Sequence, residues 1–443
     1  MKSFEVYKRI EQIILRIQSE QIKAIARLVG DTRSWTRQRN MPLIDMIICT
    51  LGKKGLTTVM EIMQYFNNAK KMEQMVSKQN YLKQRQKLNP EVFKVLNQEY
   101  LKSFYKSQEV KDWQGYLVMA IDGSKVEIPN SEENREVYGE SETRYGKGSA
   151  RASLSTLYDV FNRFIVDIGI DHYLANEVDA AKLHIDAVKG IVGNRPVLVI
   201  FDRGYPSLEF IEFLGKARKK YLIRLPEGHY KAEIAGMKTS DEEIELFYTK
   251  SRLNLLKQKF PKLAEKLSQK RSISVRIVKV ILENGNPATF ITNLKEGTAD
   301  DIQQLYKKRW DIEKKYHTLK NKMKFESVTG KASIYVEQDF FAQTLVFNMI
   351  QDLITGAEYR AAMKAKEKRL KYEVRINENI GIGLFKEQLV QLMLEEDDTL
   401  KDEMFRQLTA NMERHIVPVR KLKSTPRKWK YYNKYDCNLK PAF

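Results

Sequence analysis

Six side chains in this sequence have the types and spacing to do chemistry together: Asp122, Asp202, Tyr306, Arg309, Glu313 and Lys320. The last four lie in LYKKRWDIEKKYHTLK, residues 305–320, a stretch without Pro or Gly and dense in Lys, Glu and Leu, which predicts a helix. Arg309, Glu313 and Lys320 follow Tyr306 at offsets of three, seven and fourteen. At about 100° per residue they share an arc of roughly 60° along about 21 Å of helix axis. One face would then carry a phenol, a guanidinium, a carboxylate and an ammonium group. The carboxylate suits a divalent cation, and the other three can donate hydrogen bonds to phosphate oxygens. The competing reading is a solvated face, since Lys and Glu recur throughout this helix.

Two further acids close apolar runs. Asp122 follows VMAI and precedes Gly-Ser, and Asp202 follows VLVIF and precedes Arg-Gly. The end of a buried strand is where α/β proteins present reactive side chains, because the strand fixes the position and the turn opens it to solvent. Either Asp alone is explained as a turn former. Together with the patterned helix they suit phosphodiester chemistry, in which a water or a 3′-hydroxyl is activated and a departing oxygen stabilised. Two divalent ions about 3.5–4 Å apart do both. Hard oxygen ligands favour Mg²⁺ or Mn²⁺. On this reading Asp122 bridges both ions, while Asp202 and Glu313 each complete one site.

The composition agrees with an anionic partner. The chain of 443 residues carries 77 basic and 57 acidic residues, net +20, and points to a polyanion, nucleic acid foremost. Hydrophobic residues at 42% and charged residues at 30% describe a globular protein large enough for two to three domains. No run of 18 apolar residues, basic amphipathic anchor or lipidation signal occurs, and MKSFEVYKRIEQ lacks the apolar segment of a signal peptide. An intracellular protein without a membrane partner is expected. Cys49 and Cys437 are too few for a disulfide framework or a zinc site, and the five histidines show no ligand spacing, so any metal would be held by oxygens.

Residues 1–112 read as helical, through VYKRIEQIILRIQ, MPLIDMIICTLG and TTVMEIMQYF. Ser77 to Lys87 is a short basic helix, with Lys83 and Arg85 as candidate DNA contacts, and Arg33, Arg37 and Arg39 lie upstream beside Trp35. Such a block suits a helix-turn-helix-like reader, against an ordinary helical domain with a charged exterior. From Trp113 the pattern becomes α/β: strands in YLVMAIDGS, SLSTLYDVF and RFIVDIGID, a helix in NEVDAAKLHIDAVKGIV, the strand PVLVIFDRG, a helix PSLEFIEFLGKARKK with Pro206 in its first turn, and the strand YLIRLP. Residues 226–295 read as a β-rich insertion with a helical hairpin-like piece and a hairpin signal, ENGN, at 283–286. DFFAQTLVFNMIQDLI reads as a core helix, YRAAMKAKEKRL is strongly basic, and Leu384–Leu408 is again helical. The tail Ile416–Tyr435 combines seven Lys or Arg and no acid with Trp429, Tyr431, Tyr432 and Tyr435, which suits a nucleic-acid contact or a solvated tail. The expected division is 1–112, 113–335 and 336–443.

IDGS around Asp122, FDRGY around Asp202 and the Y-x2-R-x3-E-x6-K spacing of Tyr306, Arg309, Glu313 and Lys320 resemble the DDE transposases of the bacterial IS-four insertion-sequence family. The resemblance covers residues 122–320 well and extends weakly to both helical ends. It implies an α/β fold, with a ribonuclease-H-like catalytic core carrying a β-rich insertion, flanked by helical N-terminal and C-terminal domains. It implies cut-and-paste transposition: nicking at the transposon ends, often through a hairpin, then strand transfer. The implied partners are double-stranded DNA, as terminal inverted repeats and target, and a second copy of the chain in a homodimer. The implied location is the bacterial cytoplasm, with the nucleoid. Carried over, Asp122, Asp202 and Glu313 hold two Mg²⁺ or Mn²⁺ ions, and Tyr306, Arg309 and Lys320 grip the phosphates, with Arg203 and Trp310 as further DNA contacts. One departure is that residues 203–300 contain no Trp to hold a flipped base. Trp310, Phe247 or Tyr248 could stack instead, unless Trp310 is a core residue. A metal-dependent nuclease without strand transfer, a transposase-derived repressor and an RNA-processing enzyme are the alternatives.

Overall fold

The computed structural model describes residues 2–37, 40–141, 148–283 and 285–420. Arg39, Cys437 and the tail aromatics Trp429, Tyr431, Tyr432 and Tyr435 lie outside these. Helices α1 (Lys2–Ile17), α2 (Glu20–Ile25), α3 (Leu43–Leu51), α4 (Thr58–Asn68), α5 (Lys78–Arg85) and α6 (Glu91–Tyr105) open the chain. In α1 the spacing of Val6, Ile10, Ile13, Ile14 and Ile17 makes one buried stripe. In α5 the Ser77 side chain caps the first turn by accepting from the Asn80 amide.

The central sheet begins with β1 (Leu117–Glu127), followed by α7 (Glu132–Tyr138), β2 (Arg151–Asp159), β3 (Phe164–His172), α8 (Glu177–Val192), β4 (Val197–Phe201), α9 (Leu208–Lys216) and β5 (Lys220–Arg224). Strands β1, β2 and β3 form an antiparallel meander, and β1, β4 and β5 run parallel. Both faces of β4 are covered: Leu198 and Ile200 enter one apolar core and Val197, Val199 and Phe201 the other. That explains its unbroken apolar run. Two local expectations change. Helix α9 starts after Ser207, whose hydroxyl accepts from the Phe210 amide, so Pro206 precedes the cap. β1 does not end at Asp122; pairing with β2 carries it on to Glu127, whereas its parallel neighbour β4 pairs only as far as Ala120. Asp122 thus sits at the lip left where β4 stops.

Beyond β5 come α10 (Lys231–Ala235), β6 (Asp241–Phe247), α11 (Lys250–Lys259), α12 (Pro261–Ser268), β7 (Ser272–Ile281) and β8 (Pro287–Thr292). These strands do not stand apart as an insertion would suggest. β8 pairs with β5, and among the described residues one eight-stranded sheet runs in the order β3-β2-β1-β4-β5-β8-β7-β6. The expected 305–320 helix is divided into α13 (Ala299–Lys307) and α14 (Trp310–His317), followed by a π-helical turn, Thr318–Lys322. At the break the amides of Lys308 and Arg309 bond three residues back, to Leu305 and Tyr306, and at the wide turn Met323 bonds five residues back, to Thr318. The stripe of four side chains is therefore re-aimed at both ends.

The chain closes with α15 (Ser333–Glu367), β9 (Val374–Ile376), α16 (Glu378–Leu394), α17 (Asp398–Arg414) and β10 (Ile416–Pro418), which pairs with β9. One apolar core joins the N-terminal helices, one face of the sheet, α13, α14 and the C-terminal helices; the other lies between the opposite face and α8 and α9. Among the described residues no helix is long and apolar enough to cross a membrane.

Arg85 requires a correction. Its side chain is buried, donates to Gln338 Oε1 at 2.8 Å and pairs with Asp339, which also receives Lys53 Nζ at 2.7 Å. A guanidinium enclosed between α5 and α15 is not a DNA contact. Lys83, two residues earlier, is exposed.

Candidate active site

Asp122 and Asp202 arrive from neighbouring parallel strands, one at the lip of β1 and the other directly after β4. By alternation from Val118 and Ala120, the Asp122 side chain faces the layer of α13 and α14. Those helices supply the rest. Tyr306 Oη donates to Asp202 Oδ1 at 3.3 Å, Arg309 Nη2 to Glu313 Oε1 at 2.7 Å, and Arg309 Nη1 lies 3.6 Å from Asp122 Oδ2. Tyr316, buried in the same layer, donates to the Asp122 backbone carbonyl at 2.7 Å and receives the Thr156 hydroxyl at 2.7 Å. The structure thus brings together five of the six residues singled out by sequence.

Lys320 stands apart. The π-helical turn directs its ammonium to the Lys125 carbonyl, 2.6 Å away on the continuation of β1, and burial pulls its pKa below the ordinary value. Arg203 is exposed beside Asp202, whose Oδ1 accepts from the Arg203 amide at 2.6 Å. Trp310 is half exposed, with the Arg309 guanidinium 5.2 Å from its ring, so it is not a core residue. Phe247 is exposed too, but Tyr248 is buried with its hydroxyl on Glu212 and is not free to stack.

In the cluster, burial and charge pairing act against each other. Burial pushes the Asp122 carboxyl up to about 6, opposed by Arg309 and by the Gly123 amide. Arg309 is itself buried and its Nε has no acceptor. Among the described residues no three His, Cys, Asp or Glu side chains are arranged to hold a metal ion, because the guanidinium lies between Asp122 and Glu313. The donor set nevertheless fits a hard divalent ion: every ligand is a carboxylate oxygen, and a cation, Arg309, already stands among them.

Two clefts flank the acids. One, of about 840 Å³, is bounded by Glu313 and Trp310 and lined by Lys111, Arg163, Lys308 and Arg375. The other, of about 740 Å³, adjoins Arg203 and includes Arg224, Lys231 and Lys279. Basic walls on both sides match a polyanion passing across the acids.

Glu378, at the start of α16, fixes the turn that carries Lys320. It accepts from Lys315 at 2.6 Å, Lys322 at 2.9 Å and Thr318 at 3.0 Å. Burial opposes its charge, yet Lys315 and Lys322 hold its carboxyl at about 2. A depressed folded-state pKa contributes stability above the unfolded value near 4.5, lost as pH falls toward 2. Glu378→Gln is therefore expected to lose about 3 kcal/mol at pH 7, from about 1.4 kcal/mol per pH unit. Urea unfolding of both proteins from pH 7 to pH 3 should show this gap shrinking below about pH 4.5; a constant gap would refute the charge-based account.

Sequence reasoning missed two residues here, Glu177 and Tyr205. Glu177 is the first residue of α8, and a Cβ built on Gly123 would lie 2.8 Å from its Oε1, so its carboxylate rests against the backbone next to Asp122. Tyr205 is buried, its hydroxyl has no partner among the described residues, and the charged groups acting on it include Glu177, Asp122 and Asp202. Asn176-Glu177 reads in sequence as an ordinary capped helix start, and the only signal for Tyr205 is its place in FDRGY.

Residues 113–349 match the family model described as Transposase DDE domain. The chain is 22% identical over 347 residues to transposase InsG for insertion sequence element IS4 of Escherichia coli (strain K12), covering 76% of this chain and 75% of that one. A cryo-EM structure of the piggyBac transposase synaptic complex with hairpin DNA aligns over 96% of this chain and 87% of its own, at 9% identity and a TM-score of 0.43.

Proposed function

The chain belongs to the Transposase DDE domain family, and on that premise we propose that Asp122, Asp202 and Glu313 are its catalytic acids in cut-and-paste transposition of an insertion sequence. A DNA transposase of this family cleaves DNA and transfers strands with divalent metal ions. The observation that carries the assignment is Arg309, a buried cation paired with Asp122 and Glu313 at 3.6 and 2.7 Å. Two acids from separate segments share this cation and a third, Asp202, accepts from Tyr306 at 3.3 Å, a compact acid cluster of the kind phosphoryl transfer uses.

On this reading Asp122, Asp202 and Glu313 hold two Mg²⁺ or Mn²⁺ ions. Bound there, the ions supply charge stabilisation for the entering and departing oxygens. The chain's own part begins with Arg309, which releases Glu313 and turns its guanidinium to a phosphate of the transposon end. Tyr306 keeps Asp202 oriented and Lys320 grips a neighbouring phosphate. Arg203, Trp310 and Lys83 are further DNA contacts, and the two basic clefts take DNA on either side of the scissile bond. The meander β1–β3 followed by parallel β4 and β5 supports a ribonuclease-H-like core. Division at 112/113 and 335/336, a homodimer holding two ends, and a cytoplasmic, nucleoid-associated location complete the proposal.

The test is incubation of purified protein with labelled linear DNA carrying its own element's ends, in Mg²⁺, Mn²⁺ or Ca²⁺, beside an Asp202→Ala control. Cleavage at the ends in Mg²⁺ or Mn²⁺, absent from the control and followed by joining to a target plasmid, is expected. Cutting without joining would replace this reading by a nuclease, and binding without cutting by a repressor.

A further inference from the structure

The acids at the lip of β1 are served from both layers of the fold, and the assignment above uses only one of them. From the α8 side come Glu177 and Tyr205. Glu177 has neither an ion pair nor a hydrogen-bond donor among the described residues, although it lies beside a second carboxylate. It is held there by α8: His184, two turns along the helix, is buried with Nδ1 2.7 Å from Asp167 Oδ2 and Nε2 3.0 Å from Ser155 Oγ. The tautomer protonated at Nδ1 satisfies both contacts. Ser155 pairs across the sheet with Gly123, and Gly123 has no side chain to displace the Glu177 carboxylate. Independently, Tyr205 is 2% exposed, and its ring is fixed against Phe201 and Phe210 while its hydroxyl has no acceptor among the described residues. Buried hydroxyls without a partner are uncommon and call for an explanation. The Tyr205 amide donates to the Asp202 carbonyl at 3.2 Å, which ties the residue to the turn behind that acid, and Glu177, Asp122 and Asp202 are carboxylates whose charge acts on its hydroxyl.

We propose that Glu177, steered by the Tyr205 hydroxyl, holds the attacking water for the hydrolytic nick at the transposon end. In-line displacement places the entering and leaving oxygens on opposite sides of phosphorus. The layer of α13 and α14 offers Arg309 and Lys320, cations suited to phosphate oxygens. The layer of α8 offers an unpaired carboxylate, suited to accept a hydrogen bond from a free water and fix where its oxygen points. In the step, the water, held by a hydrogen bond to the Glu177 carboxylate, bonds through its oxygen to phosphorus and gives up a proton to bulk solvent, and the bond from phosphorus to the 3′ oxygen breaks. That oxygen leaves as a 3′-hydroxyl after taking a proton from bulk water. Strand transfer differs, because its nucleophile is a 3′-hydroxyl already held in place by the DNA that carries it.

The inference rests on the reading of Asp122, Asp202 and Glu313 as catalytic acids, and the experiment separates the two. Nicking of intact ends and joining of pre-cut ends are measured for wild type, Glu177→Gln, Tyr205→Phe and Asp202→Ala, with melting temperature and end binding for each. Glu177→Gln should slow nicking about 100-fold, as misplacing a nucleophile does, and Tyr205→Phe about tenfold, as loss of one hydrogen bond does. Joining of pre-cut ends should stay within about threefold, since the nucleophile needs no positioning by Glu177. Melting temperature and end binding should not move in Tyr205→Phe, whose lost hydroxyl has no partner to leave unpaired. Unchanged nicking, an equal fall in nicking and joining, or a drop in the melting temperature of Tyr205→Phe would overturn the proposal. Asp202→Ala should lose both reactions; if it keeps either, the reading of the acids fails whatever Glu177 and Tyr205 do.

Discussion

Glu313→Gln is expected to slow strand cleavage at least about a thousandfold, the consequence of losing several kcal/mol of charge stabilisation at a metal-dependent centre. The substitution keeps side-chain size, and the amide oxygen can still accept from Arg309 Nη2, so α14 stays docked. What is lost is the negative charge. Glu313 is the most open of the cluster's ion-paired acids, its side chain 38% exposed against 19% for Asp122, so losing that charge costs folding little. The same variant should bind element ends as wild type does, because every basic side chain lining the two clefts is kept. Gel-shift and cleavage assays on one preparation decide the matter. Loss of binding together with cleavage would make Glu313 a structural residue, and retained cleavage would remove it from the centre.

How much of this was legible in the sequence depends on whether the determinant was local. VLVIF followed by Asp202 could be read directly, because burial of β4 on both faces leaves an unbroken apolar run. Asp122 was legible as a residue but not as a position. The length of β1 is set by pairing with β2, up to Glu127 against Arg151, and no local signal announces that Asp-Gly stays extended. The tight turn at Lys308–Arg309 and the wide turn at Thr318–Lys322 escaped for a similar reason. Propensity predicts a regular helix, while Glu378 on a distant helix gathers Lys315, Thr318 and Lys322 around itself. The insertion's strands could be recognised as strands, but that β8 would pair with β5 could not. Glu177 was hidden for the opposite reason: its local role as a helix-start acid is complete, so nothing in the sequence asks for a second one.

The largest expected loss of stability comes from Asp339→Ala, about 3–5 kcal/mol, the cost of leaving buried charge uncompensated. Asp339 is fully buried on α15 and accepts from Lys53 at 2.7 Å, from the Thr329 amide at 2.7 Å and from Arg85. Removing it strands a buried ammonium and a buried guanidinium without their shared counter-charge. Arg85→Met should cost less: it leaves Lys53 and Asp339 paired and puts an apolar chain of similar reach where the guanidinium lay. The order of the two losses is what distinguishes an ion cluster from simple packing, because by volume alone the larger side chain would matter more. Urea unfolding with unchanged m-values measures both. If Asp339→Ala proved milder than Arg85→Met, the cluster would not be what joins α5 to α15. The sequence reading placed Arg85 on DNA; its structural role predicts instead that Arg85→Met lowers the unfolding midpoint while element-end affinity of the folded protein stays as in wild type. The same basic helix keeps Lys83 exposed, so within two residues it separates an accessible ammonium from a guanidinium that supports the fold.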